Sequence, residues 1–100
     1  MSTLYDLLAY AVSLDEIAYP VSLMYRDVKV NILEISKVKT QWSNDYLVVV
    51  QLTDGEHTSK PFTIPCKDTL DFVRKLRIEI MKFKALKVIL LPHEVKSIFR

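Results

Sequence analysis

Glycine, cysteine and long apolar runs are scarce in this sequence of 100 residues. The single glycine, Gly55, nearly excludes glycine-rich phosphate loops, dinucleotide-binding turns and serine elbows, because each brings bare backbone close to a ligand. The single cysteine, Cys66, excludes an intrachain disulfide and a cysteine-cluster metal site, and favours a reducing, intracellular setting. No stretch approaches the roughly 18 apolar residues of a membrane span, and no basic region precedes the first apolar residues. We therefore expect a soluble protein with no membrane partner.

The composition predicts one globular domain over residues 1–100, since 50% of the residues are hydrophobic and 26% are charged. A formal net charge of +2 is too small to indicate a polyanion partner by itself. In residues 1–28 the acidic side chains outnumber the one basic residue, Arg26. The basic character therefore belongs to the remainder of the chain.

Asparagine and glutamine are also rare, whereas lysine, isoleucine, valine and leucine are plentiful. High-temperature proteins have this bias. In composition the chain resembles the small single-domain proteins encoded by viruses and plasmids of thermophilic archaea. That resemblance implies a viral or plasmid protein acting inside a thermophilic host cell.

The strongest local pattern is a β-hairpin in the middle of the chain. An apolar strand is predicted over 46–53, the Asp-Gly pair at 54–55 is a strong turn signal, and a further strand is predicted over 59–64. The first of these is apolar on both parities, so we expect it to be central and covered on both faces. Pro61 and Pro65 cannot donate to a β-ladder, which predicts an edge position for the later strand.

Earlier in the chain, an apolar stripe behind Thr3 and Asp6 predicts a helix over about 3–13. Ser13 can cap a short second helix. Apolar residues then alternate and change parity between Ile32 and Leu33. This phase slip predicts a long, curved strand over about 27–39 that contains a β-bulge.

Later in the chain, a capping pattern and a three-to-four apolar spacing predict a helix over 69–84. Residues 84–91 fit either a continued helix or a buried strand, and we favour a strand over 86–91 that ends before a final helix over 93–99. The fold class is therefore α+β: an antiparallel sheet of three to four strands, with the N-terminal helix and the long later helix packed on one face.

Basic and aromatic side chains recur on the predicted strands and in the loop between them. Ammonium groups contact phosphates and flat rings stack on bases, so this mixture is typical of surfaces that bind single-stranded nucleic acid. We predict non-catalytic binding of single-stranded DNA or RNA through these residues: Lys29, Lys37, Lys39, Trp42, Tyr46, Lys60 and Phe62.

The order of elements over residues 27–83 carries two resemblances. A long bent strand, a strand that ends in Asp54-Gly55, a third strand and a helix resemble the first part of an OB-fold barrel. The same order is similar to the curved sheet-plus-helix dimers of transcriptional-coactivator type. Both resemblances imply single-strand binding, although the first strand lacks the glycine that OB-folds usually have there.

Two alternatives remain open from the sequence. The first is a protein-interaction or regulatory module, whose sheet or helix surface would engage a partner protein. With either function we expect a homodimer, because the apolar content of the later helix and of 84–91 exceeds what one small sheet covers. The second, a small metal-dependent nuclease or hydrolase, would use the turn residues Asp54, Glu56 and His57, but the further ligands that a metal needs are absent at any convincing spacing. We therefore predict no metal, no cofactor and no catalytic residue, with Cys66 an inert thiol.

Overall fold

A computed structural model describes residues 3–90, with the side chains of residues 3–86. A four-stranded antiparallel sheet in the order β1-β2-β3-β4 is followed by one long helix, which confirms the predicted α+β class. The described strands form an open meander rather than a closed barrel. In chain order the elements are α1 (Asp6–Ala9), a 3-10 turn (Leu14–Glu16), β1 (Val21–Tyr25), β2 (Val28–Lys39), β3 (Asn44–Thr53), β4 (Phe62–Cys66) and α2 (Thr69–Leu90).

The N-terminal helix is much shorter than the predicted span of 3–13. It ends at Ala9 because Ala11 has a φ of 50°, outside the helical region. The predicted cap at Ser13 is confirmed, since its hydroxyl accepts from the amide of Asp15 and the Glu16 carboxylate accepts from the amide of Ser13. This capping box begins a single 3-10 turn rather than a second α-helix.

The predicted curved strand is confirmed as β2, and the phase slip is a β-bulge. The register with β3 shifts between Ile32 and Glu34, so that Leu33 is the extra residue. Residues up to Ile32 and residues from Ile35 onward therefore direct their apolar side chains to the same face. The sequence did not separate β1 from β2, because their two-residue turn is Arg26-Asp27, which lacks the usual glycine or asparagine.

The central strand β3 pairs with β2 on one side and with β4 on the other, as predicted. The following strand is an edge, as the prolines predicted, but it begins later than expected, at Phe62. The turn at 54–55 opens a longer loop over 54–61, in which Gly55 has a φ of 94°. The Asp54 carboxylate organises that loop by accepting from the amides of Glu56 and His57, at 2.9 and 2.8 Å.

The final described element, α2, is one continuous helix from Thr69 to Leu90. The predicted strand over 86–91 is therefore wrong as far as Leu90, while residue 91 and the predicted helix over 93–99 lie outside the described residues. The Lys84 ammonium lies 2.6 Å from the Asp27 carboxylate and ties the later part of the helix to the β1–β2 turn. No helix in the described part of the chain is both long and apolar enough to cross a membrane.

The core lies between one face of the sheet and the N-terminal segment and α2. Fully buried side chains come from the sheet (Val28, Val30, Ile32, Val48, Val50, Leu52), from α2 (Phe72, Leu76, Ile80) and from the N-terminal segment (Leu4). The opposite parity of β3 remains open in the described residues, where Leu47 is 36% exposed and Val49 is half-buried. The expectation that β3 would be covered on both faces is therefore wrong for this part of the chain.

Candidate nucleic-acid interface

The β2–β3 hairpin extends past the core as an exposed arm. We define this hairpin arm as residues 36–47, beyond the last fully buried pair of the ladder, Ile32 and Val50. Residues 36–44 are all exposed. The pairing continues to Lys39 opposite Asn44, so the arm is an ordered two-stranded ribbon. It places side chains outside the core without a loss of backbone hydrogen bonds.

Trp42 lies at the tip of the hairpin arm and is 86% exposed. The turn that carries it is closed by Thr40, whose hydroxyl accepts from the amides of Trp42 and Ser43 at 3.3 and 3.0 Å. The Thr40 amide donates in turn to the Ser43 carbonyl at 2.8 Å. The turn is thus fixed by its own residues, while the indole ring is left available to a ligand.

Lys37 and Tyr46 form a cross-strand pair on the arm. The Lys37 ammonium lies 5.7 Å from the centroid of the Tyr46 ring, at the range of a cation–π contact. Lys39 lies two residues farther along β2, so its side chain leaves the same face of the ribbon. One face of the arm therefore presents two lysines and a ring behind Trp42.

Asp15, from the 3-10 turn, lies against this face. Its carboxylate accepts a hydrogen bond from the Tyr46 hydroxyl at 2.8 Å and lies 3.8 Å from the Lys37 ammonium. That hydrogen bond is the main reason why the pKa of Tyr46 is raised. Both members of the ion pair are about half exposed, so it is a weak, solvent-screened contact. The sequence indicated Asp15 only as a helix-start residue.

The remaining predicted residues lie elsewhere. Lys29 pairs with Met24 and Thr53 on the open face of the sheet, at the end opposite the hairpin arm. Lys60 lies in the loop at that same end. Phe62 is opposite Val50 and packs against the core. The structure therefore brings together Lys37, Lys39, Trp42 and Tyr46, and it does not bring Lys29, Lys60 or Phe62 to them.

Among the described residues, the open face of the sheet carries no aromatic ring on which a base could stack. The charges on this parity are Lys29, Glu34 and Asp45, and the other side chains are polar or aliphatic: Ser22, Met24, Asn31, Leu47, Val49, Gln51, Thr53 and Thr63. Aromatic residues of the strands, such as Tyr46, lie on the opposite parity. Within the sheet, base stacking is therefore expected on the hairpin arm rather than across the open face.

The groups considered for catalysis have structural roles in the described residues. Asp54 accepts amides within its own loop, and no group of three described His, Cys, Asp or Glu side chains is placed to hold a metal ion. Cys66 is 2% exposed, and its burial, with a smaller contribution from Asp71, raises the pKa of the thiol to about 11. A thiol this basic is almost wholly protonated at neutral pH and is a poor nucleophile.

Sequence reasoning missed a second group of aromatic and basic side chains. Tyr5, Tyr25, Arg26 and Arg77 come from four separate elements and meet at the β1–β2 turn. We call them the arginine–tyrosine cluster. Tyr25 and Arg26 are neighbours in the chain, but no local spacing links them to Tyr5 and Arg77, so only the packing of α2 and the N-terminal segment against β1 could reveal the cluster.

Comparisons with protein-family models, with characterised proteins and with solved structures gave no match to this chain.

Proposed function

We propose that this protein binds single-stranded nucleic acid without catalysis, through the hairpin arm. The observation that carries the proposal is Trp42, an 86% exposed indole at the tip of an ordered ribbon. An exposed ring of this size costs solvation free energy unless a partner covers it. Stacking of a base on such a ring contributes about 1–3 kcal/mol and depends little on sequence.

The lysines of the arm supply the phosphate contacts. Lys37 and Lys39 are two residues apart on one strand, so their Cα atoms are separated by about 6.6 Å. Two such contacts to a single strand predict a slope of about −1.4 for log K against log salt. Tyr46 gives a second ring on the same face, although this ring is half-buried against the core and its hydroxyl is held by Asp15.

Asp15 limits the affinity in this mechanism. Its carboxylate neutralises Lys37 and would repel a phosphate placed there. Replacing Asp15 by asparagine keeps an acceptor for the Tyr46 hydroxyl and removes the charge. We therefore expect Asp15→Asn to strengthen oligonucleotide binding by about two- to fivefold, which corresponds to a surface ion pair of up to about 1 kcal/mol.

The test is a titration of fluorescently labelled single-stranded oligothymidine, followed by anisotropy at two salt concentrations. Trp42→Ala should weaken binding at least about fivefold, the equivalent of 1 kcal/mol of stacking. Lys37→Ala and Lys39→Ala should weaken it and flatten the salt dependence. Lys29→Ala and Lys60→Ala are matched controls, because these lysines lie at the other end of the sheet.

Two results would contradict the proposal. One is the absence of binding even at low salt. The other is an equal loss in the control lysine variants and in the arm variants, which would mean that binding depends on overall charge rather than on the arm.

A protein-interaction module in the form of a homodimer is the second candidate, and a specific observation favours it. The open sheet face has few charges and includes the exposed Leu47 beside Val49. Two copies packed face to face through this surface would cover Leu47 and Val49, the apolar side chains of β3 on the open face. This candidate predicts a dimer in sedimentation that Leu47→Glu dissociates, with little dependence on salt.

A further inference from the structure

The arginine–tyrosine cluster has a defined geometry at the β1–β2 turn. The rings of Tyr5 and Tyr25 have centroids 5.7 Å apart, and the Arg26 guanidinium carbon lies 5.6 Å from the centroid of the Tyr25 ring. The pKa of Tyr25 is lowered, first by the Tyr5 hydroxyl and to a smaller extent by Arg77, on α2, and by Arg26. Tyr25 is 8% exposed and forms the floor, whereas Tyr5, Arg26 and Arg77 are open to solvent.

The backbone at Arg26 is strained. Arg26 is the first residue of the two-residue turn and has a φ of 55°, a region in which a side chain other than that of glycine or asparagine is disfavoured. Neither glycine nor asparagine stands there. The strained backbone at this position directs a guanidinium over the floor formed by Tyr25.

The positive charge of the cluster has no carboxylate partner among the described side chains. None of their ion pairs involves Arg26 or Arg77. The neighbouring acid, Asp27, is held by Lys84 at 2.6 Å, and this contact is the main cause of the lowered pKa of Asp27. Two guanidinium groups therefore lie close to the same tyrosine, and neither is paired with a described carboxylate.

We propose that Tyr5, Arg26 and Arg77 form a binding site for a phosphate group. Guanidinium groups are planar, always charged and donate paired hydrogen bonds to tetrahedral oxyanions. The exposed ring of Tyr5 lines the rim, while its hydroxyl is engaged with Tyr25. Such a group can come from free inorganic phosphate or from the terminal phosphate of a polynucleotide, because the recognising chemistry is shared.

This site is separate from the hairpin arm. Tyr25 pairs with Val28 at one end of β2, and Lys37 lies near the other end. The inference does not depend on nucleic-acid binding by Trp42. Loss of one activity in a variant should leave the other unchanged.

The chain offers matched variants for a test. Arg26→Gly removes the guanidinium and also relieves the strained backbone, so a loss of binding in this variant is not caused by unfolding. Arg77→Ala removes the second guanidinium. Arg74→Ala is the control, since Arg74 is exposed on the same helix and is not among the groups that shift the pKa of Tyr5 or Tyr25.

The experiment is isothermal titration of the protein with inorganic phosphate, and separately with oligothymidine that carries or lacks a 5′-phosphate. We expect saturable binding to the wild type, at least about tenfold weaker binding to Arg26→Gly and to Arg77→Ala, and no change for Arg74→Ala. Tighter binding of the 5′-phosphorylated than of the unphosphorylated oligonucleotide, with the difference lost in Arg26→Gly, would assign the site to polynucleotide ends, because the arm binds both oligonucleotides alike. Saturable binding of inorganic phosphate with no difference between the two oligonucleotides would assign it to the free ion.

Two outcomes overturn the inference. The first is the absence of saturable binding of inorganic phosphate at millimolar concentration, together with equal binding of the oligonucleotides with and without a 5′-phosphate. The second is an equal loss in Arg74→Ala, which would show a general response to surface charge. Binding by the hairpin arm is tested with oligonucleotides that lack a 5′-phosphate and with the Trp42→Ala variant. Failure of the phosphate site is therefore distinguishable from failure of binding by the arm.

Discussion

The buried thiol of Cys66 should make the protein lose stability in alkali in a way that a single substitution removes. Burial is the largest cause that raises its pKa, from an ordinary value of 9.0 to about 11. Asp71 and Asp68 at the start of α2 raise the pKa further, and Lys75 opposes them. The carboxylates and the desolvation therefore outweigh the helix N-terminus, which by itself would favour a thiolate.

The magnitude follows from the linkage between proton binding and folding. Because the folded pKa is the higher one, the stabilisation is fully present below pH 9 and is lost as the pH rises from 9.0 through about 11. The separation of the two values corresponds to about 2.7 kcal/mol at full ionisation and to about 1.4 kcal/mol at pH 10. That loss is a substantial part of the stability of a domain of this size, about 5–15 kcal/mol.

The assay is urea unfolding of the wild type and of Cys66→Ala at pH 8 and pH 10, followed by circular dichroism at the helix band. Trp42 is unsuitable as a folding probe because it is exposed in the native state. We expect the free-energy difference between the two proteins to shift by about 1.4 kcal/mol between these pH values, to the disadvantage of the wild type. Tyrosine ionisation affects both proteins alike except at Tyr46, opposite Cys66, where the thiolate is the smallest of the causes that raise the pKa of Tyr46. A difference that stays constant would refute the argument that burial raises the pKa of this thiol.

Two further predictions concern stability. Leu52 and Leu47 lie on opposite faces of β3, and only Leu52 is buried. Leu52→Ala should therefore cost about 2–5 kcal/mol of unfolding free energy and Leu47→Ala less than about 1 kcal/mol. Similar losses of the two variants in urea unfolding would contradict the assigned faces. Ala11 has a φ of 50°, so Ala11→Gly should stabilise by about 0.5–1 kcal/mol, whereas Ala9→Gly, inside α1, should destabilise by a similar amount. The melting temperatures of the two variants should therefore move in opposite directions, and a shared direction would contradict the assigned backbone.

Local pattern predicted most of the secondary structure because it depends on residues close in sequence. The parity change at Leu33 identified the β-bulge, and Pro65 identified the edge strand, since both effects act on the backbone hydrogen bonds of the residue itself. Local pattern failed where the same run of apolar residues fits either a helix or a strand. Residues 84–90 suit a strand as well as a helix. The ion pair of Lys84 with Asp27 is among the contacts that form only when the helix packs, so local sequence does not reveal it.

The candidate site was predictable only in part. Lys37, Lys39, Trp42 and Tyr46 were found together because one hairpin joins them, and hairpin neighbours are close in sequence. Lys60 was grouped with them but lies at the other end of the sheet, because the types of residues do not show at which end of a sheet a side chain lies.

The amino-acid sequence by itself determined the class of this protein, its central strands β2 and β3 and the absence of glycine-dependent phosphate loops, because these follow from the periodicity and the types of neighbouring residues. The tertiary structure alone decided which face of β3 stays open, that Asp15 restrains Lys37, and that Arg77 meets Tyr25. These contacts join residues far apart in the chain, and the register of the strands and the packing of α2 set their distances.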